Sequence, residues 1–421
     1  MTETEATCGC SDYSSSRRRF LAGLTAAAGT GIVTSVLGDT VRQVAFGAPA
    51  GSNVLIVLSL RGGADGMSLV VPYGDPGYYQ ARPTIGVPTS TLLAKGTMFG
   101  LHPGFRPLLP MWKDGRFGAV HAVGLPQPNR SHFSSMEEIE DADPGSSQRS
   151  GWINRMIGLN HSTDPAEAVE MGSTMVPTSL FGRAPVLGLR DLTDLKLAGT
   201  TDRAHTRAFH RSLHRVWDRA PGALGQGARG ALRTTEHYGQ LATAPVRPRN
   251  GAAYPPGDLA ATLKDTATLI RAGVGTRVVT IDYGTWDMHT SVGTLTWGKM
   301  RDMVKELAEC LAAFFTDLGP TGNRVTMVTL SEFGRRLQQN GDAGLDHGYG
   351  NCVLLLGAGV KGGQVHGRWP HLSSGSLVDG DLAVTTDYRS VLTEVVQSRF
   401  PGTRISTVFP GFKPEKIGSM V

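Results

Sequence analysis

Several of the usual chemical signatures are missing from this chain of 421 residues. Cysteine is scarce, with four residues in all, and two of them, Cys8 and Cys10, lie near the start. No C-x-x-C pair occurs, so thiol-redox and zinc-ribbon motifs are excluded. No H-E-x-x-H occurs, which excludes the helix-borne zinc site of that pattern. No G-x-S-x-G elbow occurs, which disfavours an α/β-hydrolase. Cys310 and Cys352 sit in apolar stretches and read as small buried hydrophobes. A disulfide between them is open, but two cysteines are not a framework. The net charge of +5 is modest for the length and does not call for nucleic acid. No apolar run is long enough for a permanent membrane span.

What is present begins with Ser16-Arg17-Arg18-Arg19-Phe20-Leu21. A mildly apolar run follows from Leu21 to Val36, then two small-residue sites, Ala45-Phe46-Gly47 and Ala48-Pro49-Ala50. Basic start, short apolar middle and small-residue end mark residues 1–50 as a twin-arginine export signal. The expected partner is the twin-arginine translocase, and the expected location is the periplasm, the cell surface or the medium. That route carries proteins already folded, often around a cofactor. Residues 51–421 are long enough for one large α/β domain with an insertion, or for two domains. The 40% hydrophobic content suits an ordinary soluble core, and 55 glycines suggest many tight loops.

Asn53–Leu60 is a continuous apolar run of strand length, read as a buried parallel strand. It ends in the turn Arg61-Gly62-Gly63-Ala64-Asp65-Gly66. Phe117–Val123 reads as a second strand, and Arg130-Ser131-His132-Phe133 opens a helix. Residues 187–257 change composition and are expected as an insertion or cap, with a basic helix from Thr201 to Trp217. Asp258 caps a helix with Leu259, Leu263, Ala267 and Ile270 at helical spacing. Strands are expected at Arg277–Tyr283, Arg324–Leu330 and Cys352–Leu356, with an amphipathic helix at Lys299–Leu318. This alternation predicts an α/β fold: a central, mostly parallel sheet with helices on both faces. Ligands bind such sheets beyond the carboxyl ends of the strands.

The polar residues gather at those ends. They are Asp65, then Asp287 and His289, then Glu332, then Asp346 and His347. Carboxylates and imidazoles from several strand ends suit a divalent cation, whose charge would offset theirs. Each also has a plainer reading: Asp65 as a turn former, Asp346-His347 as loop hydrogen-bonders, Glu332 as an ion-paired helix start. Arg130, Ser131 and His132 form the candidate catalytic group. Ser131 at a helix start sits in the field of unpaired N–H groups and is the candidate nucleophile; a plain N-cap is the alternative. Gly357-Ala358-Gly359-Val360-Lys361-Gly362 fits G-x-G-x-x-G but leads into no helix, so no dinucleotide site is expected. His210 and His214 lie one helical turn apart, but no carboxylate completes that set, and they read as a basic surface face.

Five stretches carry a resemblance: LIVLSLRGGADGMSLVVPY, PNRSHFSSMEEIE, DYGTWDMHT, TLSEFGRRLQQNGDAGLDHGYGN, and GRWPHL with DLAVTTDYRSVLTEV. The chain resembles the exported bacterial family named domain of unknown function 1501, grouped with the alkaline phosphatase–sulfatase superfamily. That resemblance implies an alkaline-phosphatase-like fold and a metal-assisted site for phosphate or sulfate esters. It implies Asp65 as the first-strand metal ligand, Ser131 near the nucleophile, Asp287 and His289 as a middle-strand pair, and His347 near the last histidine. Glu332 stands where an aspartate is usual. Glu332-Phe333 replaces the usual Asp-His, so one histidine ligand is missing and Asp346 is a substitute for it. The formylglycine pattern of sulfatases is absent.

The expected function is an exported, metal-dependent hydrolase of phosphate or related esters, using zinc, calcium, magnesium or manganese. The alternative is a non-catalytic exported protein that binds a glycan or protein partner and keeps the fold with a decayed metal site. The expected ligand is a small anionic ester or a glycan.

Overall fold

Strand β1 (Val54–Leu60) runs through the middle of a nine-stranded sheet, and all seven of its residues are buried. The computed structural model describes residues 52–421 apart from 161–163 and 198–201. The export motif and both cleavage sites lie outside the described residues. Alternate side chains of β1 feed opposite faces, as the period-2 geometry of a strand requires. Val54, Ile56, Leu58 and Leu60 join one core, and Leu55 and Val57 join the other. A strand covered on both faces reads as an unbroken apolar run for this reason.

The other strands are β2 (Phe117–Gly124), β3 (Ala168–Met171), β4 (Leu187–Leu189), β5 (Val278–Tyr283), β6 (Val325–Leu330), β7 (Asn351–Gly357), β8 (Val365–His366) and β9 (Thr386–Asp387). Their order is β8-β2-β7-β6-β1-β5-β3-β4, with β9 also paired to β2. β1 pairs in parallel with β5 and β6, in registers Leu55↔Val278 and Val54↔Val325. Within this sheet, among the described residues, only β7 runs antiparallel, between β2 and β6. Its amino end therefore lies beside the carboxyl ends of the rest.

Helices cover both faces. α1 (His132–Asp141) and α2 (Trp152–Gly158) lie on one side; α3 (Arg203–Trp217) and α4 (Gly222–Tyr238) form a pair further out. α5 (Asp258–Ala272) and α6 (Lys299–Leu318) cover the other face, and α7 (Tyr388–Arg399) returns to the first. Leu259, Leu263, Ala267 and Ile270 of α5 share a core with Val304, Leu307, Leu311 and Phe314 of α6. Trp152, Met156, Val391 and Val395 fill the opposite core. Burying each of these large side chains is worth about 1.5–3 kcal/mol relative to exposure. Asp258 is the first helical residue rather than the cap, which is Gly257.

The mostly parallel sheet and its two helical layers match the expectation. Within the stretch expected as an insertion, Leu187–Leu189 is a strand of the main sheet, paired with β3. Gly357–Gly362 leads into β8 rather than a helix. Cys310 and Cys352 are buried free thiols. Among the described residues, no helix is long and apolar enough to cross a membrane.

Candidate metal centre

One edge of the sheet collects the turn after β1, the loop from β2 to α1, the segments after β5 and β6, and the approach to β7. The turn after β1 depends on glycine. Gly62 and Gly63 have φ of 103° and 66°, and a Cβ on Gly62 would lie 2.6 Å from the Asp287 amide nitrogen. Both amides donate at 2.8 Å to the Glu332 carboxylate. Arg335, buried at 1% exposure, ties the same loops together. Its guanidinium donates to the carbonyls of Gly63 at 2.6 Å and Leu345 at 2.9 Å, and to Asp287 Oδ1 at 2.7 Å.

On this frame three imidazoles converge. His132 Nε2 and His289 Nε2 each lie 3.0 Å from His347 Nε2. The Asp287 carboxylate faces all three, at 3.0 Å from His289, 3.3 Å from His347 and 3.5 Å from His132. The other ring nitrogens point outward to acceptors. His347 Nδ1 donates to the Arg130 carbonyl at 2.9 Å, and His289 Nδ1 donates to Asp346 Oδ1 at 2.8 Å. His132 Nδ1 lies 3.4 Å from Glu332 Oε1.

This arrangement decides the chemistry. A neutral imidazole has one N–H and one lone pair. With each N–H directed at an outward acceptor, the lone pairs of His132 and His289 both face His347, beside the Asp287 carboxylate. They repel unless a cation lies among them. Metal-bound histidines have this pattern, in which an outer acceptor sets the tautomer and orients the ring. His132, Asp287 and His347 have donor atoms that all lie within 4.8 Å of one another, a set that fits a divalent ion, and His289 borders it through His347 and Asp287.

The local electrostatics agree. Burial opposes charge on the half-buried His132, but hydrogen bonds with Asp287 and Glu332 overcome it and raise its pKa to about 9. Burial likewise opposes ionisation of Glu332, yet His132 and the amides of Gly62 and Gly63 draw its pKa down to about 2. Asp287 is held well below the usual carboxylate range: desolvation works against this, and His132, His347 and Arg335 outweigh it. In the absence of an ion, a proton on His132 takes its place.

The expected residues fall into three groups. Asp287, His289 and His347 come together. Asp346 and Glu332 stand one layer out, orienting His289 and the Gly62–Gly63 turn. Asp65 requires a correction, because its carboxylate turns away to a buried two-point pair with Arg82, whose Nη2 lies 3.0 Å from Oδ1. Arg82 also donates at 2.9 Å to the carbonyls of Leu337 and Arg336, so this pair braces the loop after β6. The Arg130 guanidinium pairs with Asp381 through Nε and Nη2. The Ser131 hydroxyl does not cap α1 and is exposed next to His132.

Two side chains at the centre have places there that the sequence reading did not give them. His132, expected beside the nucleophile, supplies the imidazole that Phe333 appeared to remove. The Phe333 ring instead packs against His132 and His347, with centroids 4.8 and 4.7 Å away. Arg335 resembled a helix-start ion-pair partner of Glu332, and its role as a carbonyl clamp had no sequence signal.

The fold and site define an α/β protein with a histidine-rich centre at one sheet edge. Residues 97–392 match the family described as Protein of unknown function (DUF1501), and the chain belongs to that family. No curated protein matches the chain in sequence. Solved structures similar to it include the C-terminal periplasmic domain of EcEptC from Escherichia coli in complex with Zn, at 10% identity and a TM-score of 0.35, covering 91% of this chain and 96% of that one. Another is the PsFucS1 sulfatase from Pseudoalteromonas sp., at 11% identity and a TM-score of 0.37, covering 86% and 71%. A mutant of the alkaline phosphatase PafA aligns at 10% identity with a TM-score of 0.33, covering 68% and 64%. The chemistry of the site therefore has to come from this chain's own side chains.

Proposed function

We propose that this protein is an exported metal-dependent hydrolase of phosphate or related esters, built on the centre of His132, Asp287, His289 and His347. The observation that carries this reading is His347 Nε2 lying 3.0 Å from both His132 Nε2 and His289 Nε2, with each Nδ1 turned to an outer oxygen. Nitrogen-rich donors favour zinc and similar ions over calcium or magnesium, which prefer oxygen. When bound, the ion supplies positive charge for a developing oxyanion and acidifies a water.

The chain's own residues do the rest. Arg335 holds Asp287 in place and keeps it ionised. Asp346, the Arg130 carbonyl and Glu332 fix the three rings. The centre stays open to solvent, with the Asp287 and His289 side chains 43% and 41% exposed. An ester can therefore reach it. The Ser131 hydroxyl, uncommitted at the start of α1, is the attacking group, and water is its rival.

A second reading rests on the count of donors. Four protein donors are also what a closed structural ion site presents. In that case the protein is a non-catalytic exported binder for a glycan or protein partner. The openness of the centre favours the hydrolase. Metal-stripped and zinc-reloaded protein should be compared on phosphate monoesters, phosphate diesters and sulfate esters. Turnover that returns with metal supports the hydrolase. Full metal loading with no turnover on any ester class supports the binder.

A further inference from the structure

We infer that the α3–α4 pair carries a second metal site, for a zinc-class divalent ion, formed by His210, His214 and Glu236. The two histidines lie one helical turn apart and share a stripe of α3. That stripe faces inward. Arg207, Arg211 and Arg215 are exposed, whereas Leu213 is buried and His210, His214 and Trp217 are partly buried. The histidines are therefore not part of the basic outer face expected from sequence.

Glu236 of α4 supplies a carboxylate that faces both histidines. His214 Nε2 lies 2.9 Å and His210 Nδ1 lies 3.3 Å from the same oxygen, Glu236 Oε1. The three donor atoms lie within 4.8 Å of one another. His214 Nδ1 meets Asp218 Oδ1 at 2.8 Å, the outer contact that orients a metal-bound imidazole. His210 Nδ1 is buried, and its contact with Glu236 Oε1 at 3.3 Å does not have the geometry of a hydrogen bond. A protonated His214 held between Asp218 and Glu236 would satisfy those two carboxylates and leave His210 Nδ1 with this long contact alone. An ion shared by the three donors satisfies it. Two imidazoles and one carboxylate leave a position open for water or an external ligand. Bound there, the ion ties α3 to α4.

The test is zinc stoichiometry of the full exported chain, stripped with chelator, dialysed against zinc chloride and measured by elemental analysis. The isosteric Glu236→Gln variant should hold one zinc fewer per chain than the parent, and His210→Gln should lose the same ion from the other helix. Zinc should slow proteolysis between α3 and α4 in the parent and not in these variants. The outcome is separable from that of the main centre. If the parent holds one ion and Glu236→Gln none, the pair binds metal and the main centre does not. If the parent and both variants hold equal zinc, the inference is overturned, and His214 is an imidazolium between two carboxylates.

Discussion

His132 and His347 meet Nε2 to Nε2 at 3.0 Å, although 215 residues separate them. One ring comes from the first turn of α1 and the other from the loop before β7. The sheet order brings them together, because β2 and β7 are neighbours and run in opposite directions. The end of one strand thus adjoins the beginning of the other.

His132→Ala and Asp65→Asn should separate the two kinds of buried polar group. Loss of His132 should lower metal content and remove the melting-temperature gain on metal loading, since a ligand of the folded state stabilises by mass action. Asp65→Asn leaves Arg82 buried without its counter-charge, at a cost of about 3–5 kcal/mol. It should keep its metal. Metal loss in Asp65→Asn at a temperature where the variant is folded would show that Asp65 belongs to the centre after all.

The pH dependence follows from His132. Its apo pKa of about 9 means that an ion must displace a proton at neutral pH. Affinity should rise about tenfold per pH unit toward 9 and level off above it. The sign for apo stability is opposite. A raised histidine pKa contributes stability fully below its unfolded value of about 6.5, and that stability fades as pH climbs through 9. Calorimetric zinc titrations across this range test the slope. A flat affinity would remove His132 from the ligand set.

Arg335→Lys keeps the charge but loses the planar fork. The carbonyls of Gly63 and Leu345 and the Asp287 carboxylate then lose their shared donor. Metal affinity should fall about 10- to 100-fold, the usual effect of losing an outer partner. Competition with a coloured chelator measures this. Unchanged affinity would mean that the loops hold Asp287 without Arg335.

Ser131→Ala distinguishes the two nucleophiles. If the hydroxyl attacks, turnover should fall by about 10²-fold or more while metal content and melting temperature stay at the parent values. Near-parent hydrolysis would assign attack to water.

Much of the fold was legible because its elements follow simple periodicities. The apolar spacing of Val304, Leu307, Leu311 and Phe314 marked α6 from Lys299 to Leu318, the bounds found. The run around Leu55–Leu60 marked a strand covered on both faces. Strand-end logic also singled out Asp287, His289 and His347, since a parallel sheet concentrates polar residues at one edge. Other features depended on contacts that no spacing encodes. Arg82 claims Asp65 only because the loop after β6 folds over both. Phe333 looked like a lost ligand because its replacement, His132, enters from the start of α1, after another strand. Glu236 completes the His210–His214 pair from the following helix, 22 residues beyond His214. In each case the missing information was which loop or helix lies opposite, and that is set by sheet order and helix pairing.

X-ray absorption at the zinc edge tests the main centre most directly. The protein to use is Glu236→Gln, so that the signal comes from the main centre alone. The account predicts one tightly held ion per chain with three imidazole ligands and one oxygen, and loss of one imidazole in His132→Ala. An ion with fewer than three imidazoles, or no ion after folding with zinc present, would contradict it.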